Sequence, residues 1–178
     1  MAHAAPDGIQ IRPIRPTDLQ AYKALRLEAL KSHPEAFGSD YSEQVNEPDS
    51  FWEARIRSSL DGRASRIVVA ADDSTNHLAG MAGAFRDEGI KTRHSATLVA
   101  VYVAPRYRGH RLADAIVHEI LAWCAAADVR ILRLAVATTN VPAIRCYHRC
   151  GFQICGLQPE VIRVGDTYHD ELLMWRRV

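Results

Sequence analysis

Val101-Tyr-Val-Ala-Pro-Arg-Tyr-Arg-Gly-His-Arg-Leu-Ala113 is the stretch from which the fold is read. The apolar run that enters it, Ser95 to Val103 with Leu98, Val99, Val101 and Val103, has the composition of a strand and is stopped by Pro105. A basic turn with Gly109 follows. Beyond it Leu112, Ile116, Ile120 and Cys124 recur four apart, with Asp114, His118 and Glu119 on the other side, which predicts an amphipathic helix over 109–127. A strand–turn–helix junction presents unpaired backbone N–H groups at the positive end of a helix dipole. Arg106, Arg108, His110 and Arg111 add positive charge there, a combination suited to a phosphate. A solvated basic loop before an ordinary surface helix has the same spacing, and neither a P-loop Gly-x-x-x-x-Gly-Lys-Ser/Thr nor a Gly-x-Gly-x-x-Gly after a strand is present.

Upstream, Ile9 to Ile14 alternates as a strand, with Pro13 at its end. Thr17 or Asp18 can cap a following helix carrying Tyr22, Leu25, Leu27, Ala29 and Leu30, which Pro34 ends. Residues 34–48 are polar and broken, and a second helix is expected at 49–60. Strands are expected at 67–71, 78–85 and 95–103, and their short links favour an antiparallel meander. Downstream, 131–137 reads as a buried strand and 142–150 as a short helix stopped by Gly151. Residues 152–156 and 168–175 read as two last strands. This order is that of a mixed-sheet α/β or α+β domain. Residues 9–178 are expected to form one unit, preceded by a flexible arm at 1–8.

The bulk properties agree and exclude. At 178 residues the chain suggests one domain. Lys+Arg is 22 against Asp+Glu 21, a net charge of +1, which gives no support to nucleic-acid or anionic-membrane binding. No apolar run approaches the roughly 18 residues of a membrane span, and the start lacks the pattern of a secretory signal. Cys124, Cys146, Cys150 and Cys155 contain no Cys-x-x-Cys pair, so a reduced, cytoplasmic protein is expected.

Arg108-Gly-His-Arg-Leu-Ala113 resembles the acetyl-CoA loop of the GCN5-related N-acetyltransferases (GNAT), Gln/Arg-x-x-Gly-x-Gly/Ala after the fourth strand. It matches at Arg108 and Ala113 and departs at Arg111, where the family has Gly. Such a residue is accommodated if its backbone is helical and its side chain points outward. Asn140-Val-Pro-Ala143, Tyr147 and Gly151-Phe152 are similar to the family's Asn-x-x-Ala…Tyr…Gly-Phe segment. The early segment with Arg26, Leu30, Pro34, Ala36-Phe37 and Glu43 looks like a variant of its first helix and loop.

The resemblance implies a GNAT-like fold: a central mixed, mostly antiparallel sheet of six to seven strands, flanked by about four helices and splayed between 97–103 and 131–137. It implies transfer of an acetyl group from acetyl-CoA, as co-substrate, to a primary amine on a small molecule, protein N-terminus or Lys, by direct attack in a ternary complex. The alternative is a non-catalytic acyl-CoA-binding or sensing module. Backbone groups of Val101, Tyr102 and Val103 would dock the pantetheine arm and thioester. Arg108, Gly109, His110, Arg111, Leu112 and Ala113 would hold the pyrophosphate, with Asn140 and Ala143 on the arm. Tyr147 would be the acid for the departing thiolate. The family's strand-four Glu falls on Ser95, so the base is left among His94, Asp87, Glu88, Glu28, Glu43 and a water chain. Homodimerisation is expected by analogy only. No metal is expected: Cys146 and Cys150, with His148 between, would need further ligands.

Overall fold

The computed structural model describes residues 8–72, 75 and 77–178. The arm expected at 1–8 lies outside these except for Gly8, as does part of the turn at 72–76. The chain runs β1 (Ile9–Pro13), α1 (Leu19–Ser32), α2 (Tyr41–Gln44), α3 (Asp49–Leu60), β2 (Ser65–Asp72), β3 (His77–Arg86) and β4 (Ser95–Val103). It continues as α4 (Leu112–Ala126), β5 (Ile131–Ala137), α5 (Val141–Arg149), β6 (Gln153–Val164) and β7 (Thr167–Arg177).

Three local features differ from expectation. Asp18 precedes α1 but makes no cap bond; its carboxylate accepts instead from the Arg15 amide and from Arg12, at 2.7 and 3.0 Å. The stretch read as broken contains the one-turn α2, closed by a capping box of Asp40 and Glu43. The last two strands form a hairpin much longer than predicted. Register shifts at Ile154/Gly156 and Gln158/Ile162 interrupt the alternation that marks a strand in sequence.

The seven strands lie in the order β1-β2-β3-β4-β5-β7-β6. All pairs are antiparallel except β4 with β5. Successive residues of β2 point to opposite faces. Val68 and Ala70 join the core under α4 and α5, whereas Val69 and Ala71 join the core under α1 and α3. Trp52 and Trp123 are buried in these two cores. Gly80 lets α4 approach the sheet: a Cβ there would stand 2.9 Å from Ile116 Cδ1 and from the Tyr102 carbonyl.

Candidate active site

The parallel pairing of β4 with β5 is confined to Ser95–Thr97 against Ile131–Arg133. From Leu98 to Val103 the strands have no register, and β5 pairs with β7 instead. On its other side β4 is bulged. Between the pairs Met81–Tyr102 and Gly83–Val99 it carries one extra residue, and Ala100 adopts φ 56°. The splay leaves the β5-facing backbone of residues 98–103 without a strand partner, which is what an extended ligand arm requires.

A cavity of about 610 Å³ opens beside the splay. It is lined by Val101, Tyr102 and Val103 of β4, by Arg108, Gly109, Arg111, Leu112 and Ala113 of the loop and α4, and by Asn140, Ala143 and Tyr147 of α5. Of the eleven binding positions expected from sequence, His110 alone is not in this lining; it is exposed in the same loop. Gly109 has φ 87°, with open space around its Cα. Arg111 occupies the position before α4 with φ 55° and ψ 27°. Its backbone is therefore left-handed, and the right-handed helical backbone that would accommodate Arg without strain is not adopted. Helix α4 opens with the bond from the Ala115 N–H to Arg111 O at 3.2 Å. The amides of Leu112, Ala113 and Asp114 precede it, and as a first turn they have no intrahelical acceptor. The cradle fits a pyrophosphate.

Arg108 lies back along β4. Its Nε donates to Val103 O at 3.0 Å, its Nη2 is 3.0 Å from His33 Nε2, and its guanidinium sits 5.7 Å from the Tyr102 ring centre. The Tyr102 hydroxyl donates to Glu28 Oε1 at 2.9 Å; burial and this bond push its pKa up to about 12.

Helix α5 forms the far wall. Asn140 caps it, accepting from the Ala143 amide at 3.3 Å. Tyr147 is 6% exposed and packs edge-on against Phe152 at 5.9 Å, while still lining the cavity. Burial raises its pKa well above the ordinary tyrosine value, with Cys146 and Cys150 adding to the effect. Asp114, read from sequence as a polar-face residue, is buried. It binds Arg149 through two 2.7 Å hydrogen bonds that join α4 to α5. One donor atom each from Asp114, Cys146 and Cys150 lies within 4.8 Å of the others, so the structure adds a carboxylate to the cysteine pair. The Cys146 thiol is held protonated by its bond with Cys150, by burial and by the Asp114 carboxylate.

A second cavity, about 500 Å³, lies against the same bulge. It is lined by Ala100 and Val99 of β4, Tyr22 and Arg26 of α1, Arg55, Arg66, and Glu171 of β7. Ala36 and Phe37 line both cavities, so the two adjoin. Glu171, opposite Ala137 in the β5–β7 ladder, is half-buried, and burial raises its pKa above the usual glutamate value. It carried no signal in the sequence, because only the register of β7 brings it here.

The carboxylates and His considered as bases from sequence sit elsewhere. His94 is exposed beyond the paired end of β4, and Asp87 is bonded to Arg133 at 2.5 Å. Glu88 is exposed in the same turn, Glu43 closes the α2 box, and Glu28 holds Tyr102. None of the five lines either cavity.

The fold and cleft define an acyl-CoA-dependent transferase class, and comparison agrees. The acetyltransferase (GNAT) family model matches residues 24–152. A candidate ribosomal protein bS18-alanine N-acetyltransferase of Bacillus subtilis (strain 168) is 26% identical over 155 residues, covering 87% of this chain and 93% of that protein. A GNAT-family acetyltransferase from Streptococcus pneumoniae superposes with TM-score 0.83 at 22% identity, over 96% of this chain and 99% of the other. A GNAT phosphinothricin acetyltransferase from Sinorhizobium meliloti, solved with acetyl-CoA, superposes with TM-score 0.79 at 17% identity, over 96% and 89%. The chain belongs to the GNAT acetyltransferase family. It is an acyltransferase, and acetyl-CoA is its co-substrate.

Proposed function

We propose that the chain transfers acetyl from acetyl-CoA directly to a primary amine, with the co-substrate in the first cavity and the amine in the second. The observation that carries this reading is the meeting of the two cavities at the bulged, splayed segment of β4. Acetyl-CoA supplies an activated thioester; the chain supplies orientation and proton transfer.

The residues divide the work. The amides of Leu112, Ala113 and Asp114, with Gly109 and Arg111, hold the pyrophosphate. A backbone N–H in Val101–Val103 polarises the thioester oxygen. Glu171 takes the amine proton, directly or through water; among the described residues it is the one carboxylate lining the second cavity. Burial raises its pKa above the ordinary glutamate value, which makes it a stronger base than a solvated carboxylate. Tyr147 donates a proton to the departing thiolate, and its raised pKa keeps the hydroxyl protonated for that task. Asn140 caps α5 and so fixes the position of Tyr147.

The Bacillus subtilis relative's name gives an alanine of a ribosomal protein as acceptor. A free amine or an N-terminus both suit a 500 Å³ chamber. No helix among the described residues is long and apolar enough to cross a membrane, and we place the protein in the cytoplasm. Ile154, Leu157 and Val161, exposed on edge strand β6, support a homodimer through the last strands.

Thermal stability with acetyl-CoA, CoA, ATP and NAD in parallel tests the binding half. A rise with the CoA species alone is expected by mass action. No rise at millimolar CoA would overturn the reading. An amine-panel thiol-release assay then tests transfer.

A further inference from the structure

Arg26 of α1 lines the second cavity and is 5% exposed. Its Nε and Nη1 atoms are nonetheless buried without a hydrogen-bond partner among the described residues. The guanidinium sits 4.9 Å from the centre of the Phe37 ring. Among the described residues no carboxylate forms a salt bridge with it. Burial lowers its pKa to about 10; Tyr22 counteracts this, and Arg55 adds repulsion. A buried charge with no counter-ion is costly to a fold. Arg55 and Arg66 line the same chamber, against the single carboxylate of Glu171.

We propose that Arg26 is an anion subsite within the acceptor chamber, and that the acceptor is a small amine bearing a carboxylate. This rests on reading the second cavity as the acceptor side. The carboxylate pairs with the Arg26 guanidinium at the edge that lines the chamber and neutralises its charge. The ammonium of the same molecule faces Glu171. A zwitterionic amine thus pairs Arg26 and Glu171 at once. A peptide N-terminus has an amide where the carboxylate would be and leaves Arg26 unpaired.

The test uses the proteinogenic α-amino acids and their α-amides, with saturating acetyl-CoA, read by thiol release. The preferred acid is expected to exceed its amide by about 30-fold in kcat/KM, the discrimination typical of a charged hydrogen-bonded pair. Arg26→Met should bring the ratio close to unity through the acceptor KM. The acetyl-CoA KM should not change, and the Tm of the free protein should stay level or rise, because an uncompensated charge has been removed. Should Arg26→Met fail to fold, Arg26→Lys keeps the charge, loses the fork and should still lower the ratio about tenfold. Acid and amide within about threefold in the parent protein, or an equal loss on both in the variants, would overturn the inference. Thiol release from no acid, with a CoA-induced Tm rise intact, overturns it while sparing the CoA assignment. Absence of the CoA rise overturns the proposed function itself.

Discussion

Replacing Arg111 by Gly probes the one position where this chain departs from its family's loop. Arg111 holds φ 55° and ψ 27° ahead of α4. An L-residue in that region is disfavoured by about 1–2 kcal/mol, and glycine is not. Glycine also makes the unfolded chain more flexible, which takes back about 0.5–1 kcal/mol. Two smaller effects oppose each other. A cation at the positive end of a helix is unfavourable, but Arg111 also attracts Asp114. Arg111→Gly is therefore expected to stabilise the free protein by about 0.5 kcal/mol, or about 1–2 °C in Tm at this length. Arg111 also lines the first cavity. Its loss should raise the acetyl-CoA KM about five- to tenfold, with kcat unchanged, as expected for one partly exposed cation–phosphate contact. Differential scanning fluorimetry and steady-state kinetics read the two effects separately. A Tm lowered by several degrees would refute the strain argument. A lowered KM would show that Arg111 obstructs the loop rather than serving it.

Tyr147→Phe should lower kcat about tenfold or more, with little change in acetyl-CoA KM or Tm; a pH-independent kcat equal to that of the parent would remove Tyr147 from the chemistry. Because burial raises its pKa, the parent kcat should show no alkaline fall from Tyr147 below pH 10. Glu171 must lose its proton to act, so the acid limb of kcat/KM should lie above the ordinary glutamate value of 4.5, and Glu171→Gln should abolish that limb in a pH–rate profile. Burial opposes ionisation of Asp18 and Asp114, but Arg12 with the Arg15 amide, and Arg149 with the Cys146 thiol, outweigh it and lower both pKa values. Their contribution is present above about pH 3.8 and is lost as pH falls through the lower folded values. Urea melts at pH 7 and pH 3 should show this loss, and Asp114→Asn should remove part of it, with about 1–3 kcal/mol at neutral pH.

Local order was legible because it is written in local chemistry. Proline and glycine punctuate the chain at Pro34, Pro105 and Gly151, and the four-residue spacing from Leu112 to Cys124 specifies α4. The loop and α5 motifs pointed to residues that line the first cavity, since each is contiguous and its geometry follows from one strand–turn–helix step. The hairpin of β6 and β7 was underestimated because its bulges erase the period of two. Asp114 looked like a surface residue, and only packing of α5 onto α4 supplies the Arg149 that permits its burial.

By itself the sequence determined the order of the elements apart from α2 and pointed to the 108–113 loop and Tyr147, which line one cavity. The tertiary structure decided the second cavity. Arg26 and Glu171 stand 145 positions apart in sequence and share a chamber through the docking of α1 and the register of β7 on β5. A register shift of one residue would turn Glu171 to the opposite face of the sheet, and no local pattern in the chain records which register is adopted.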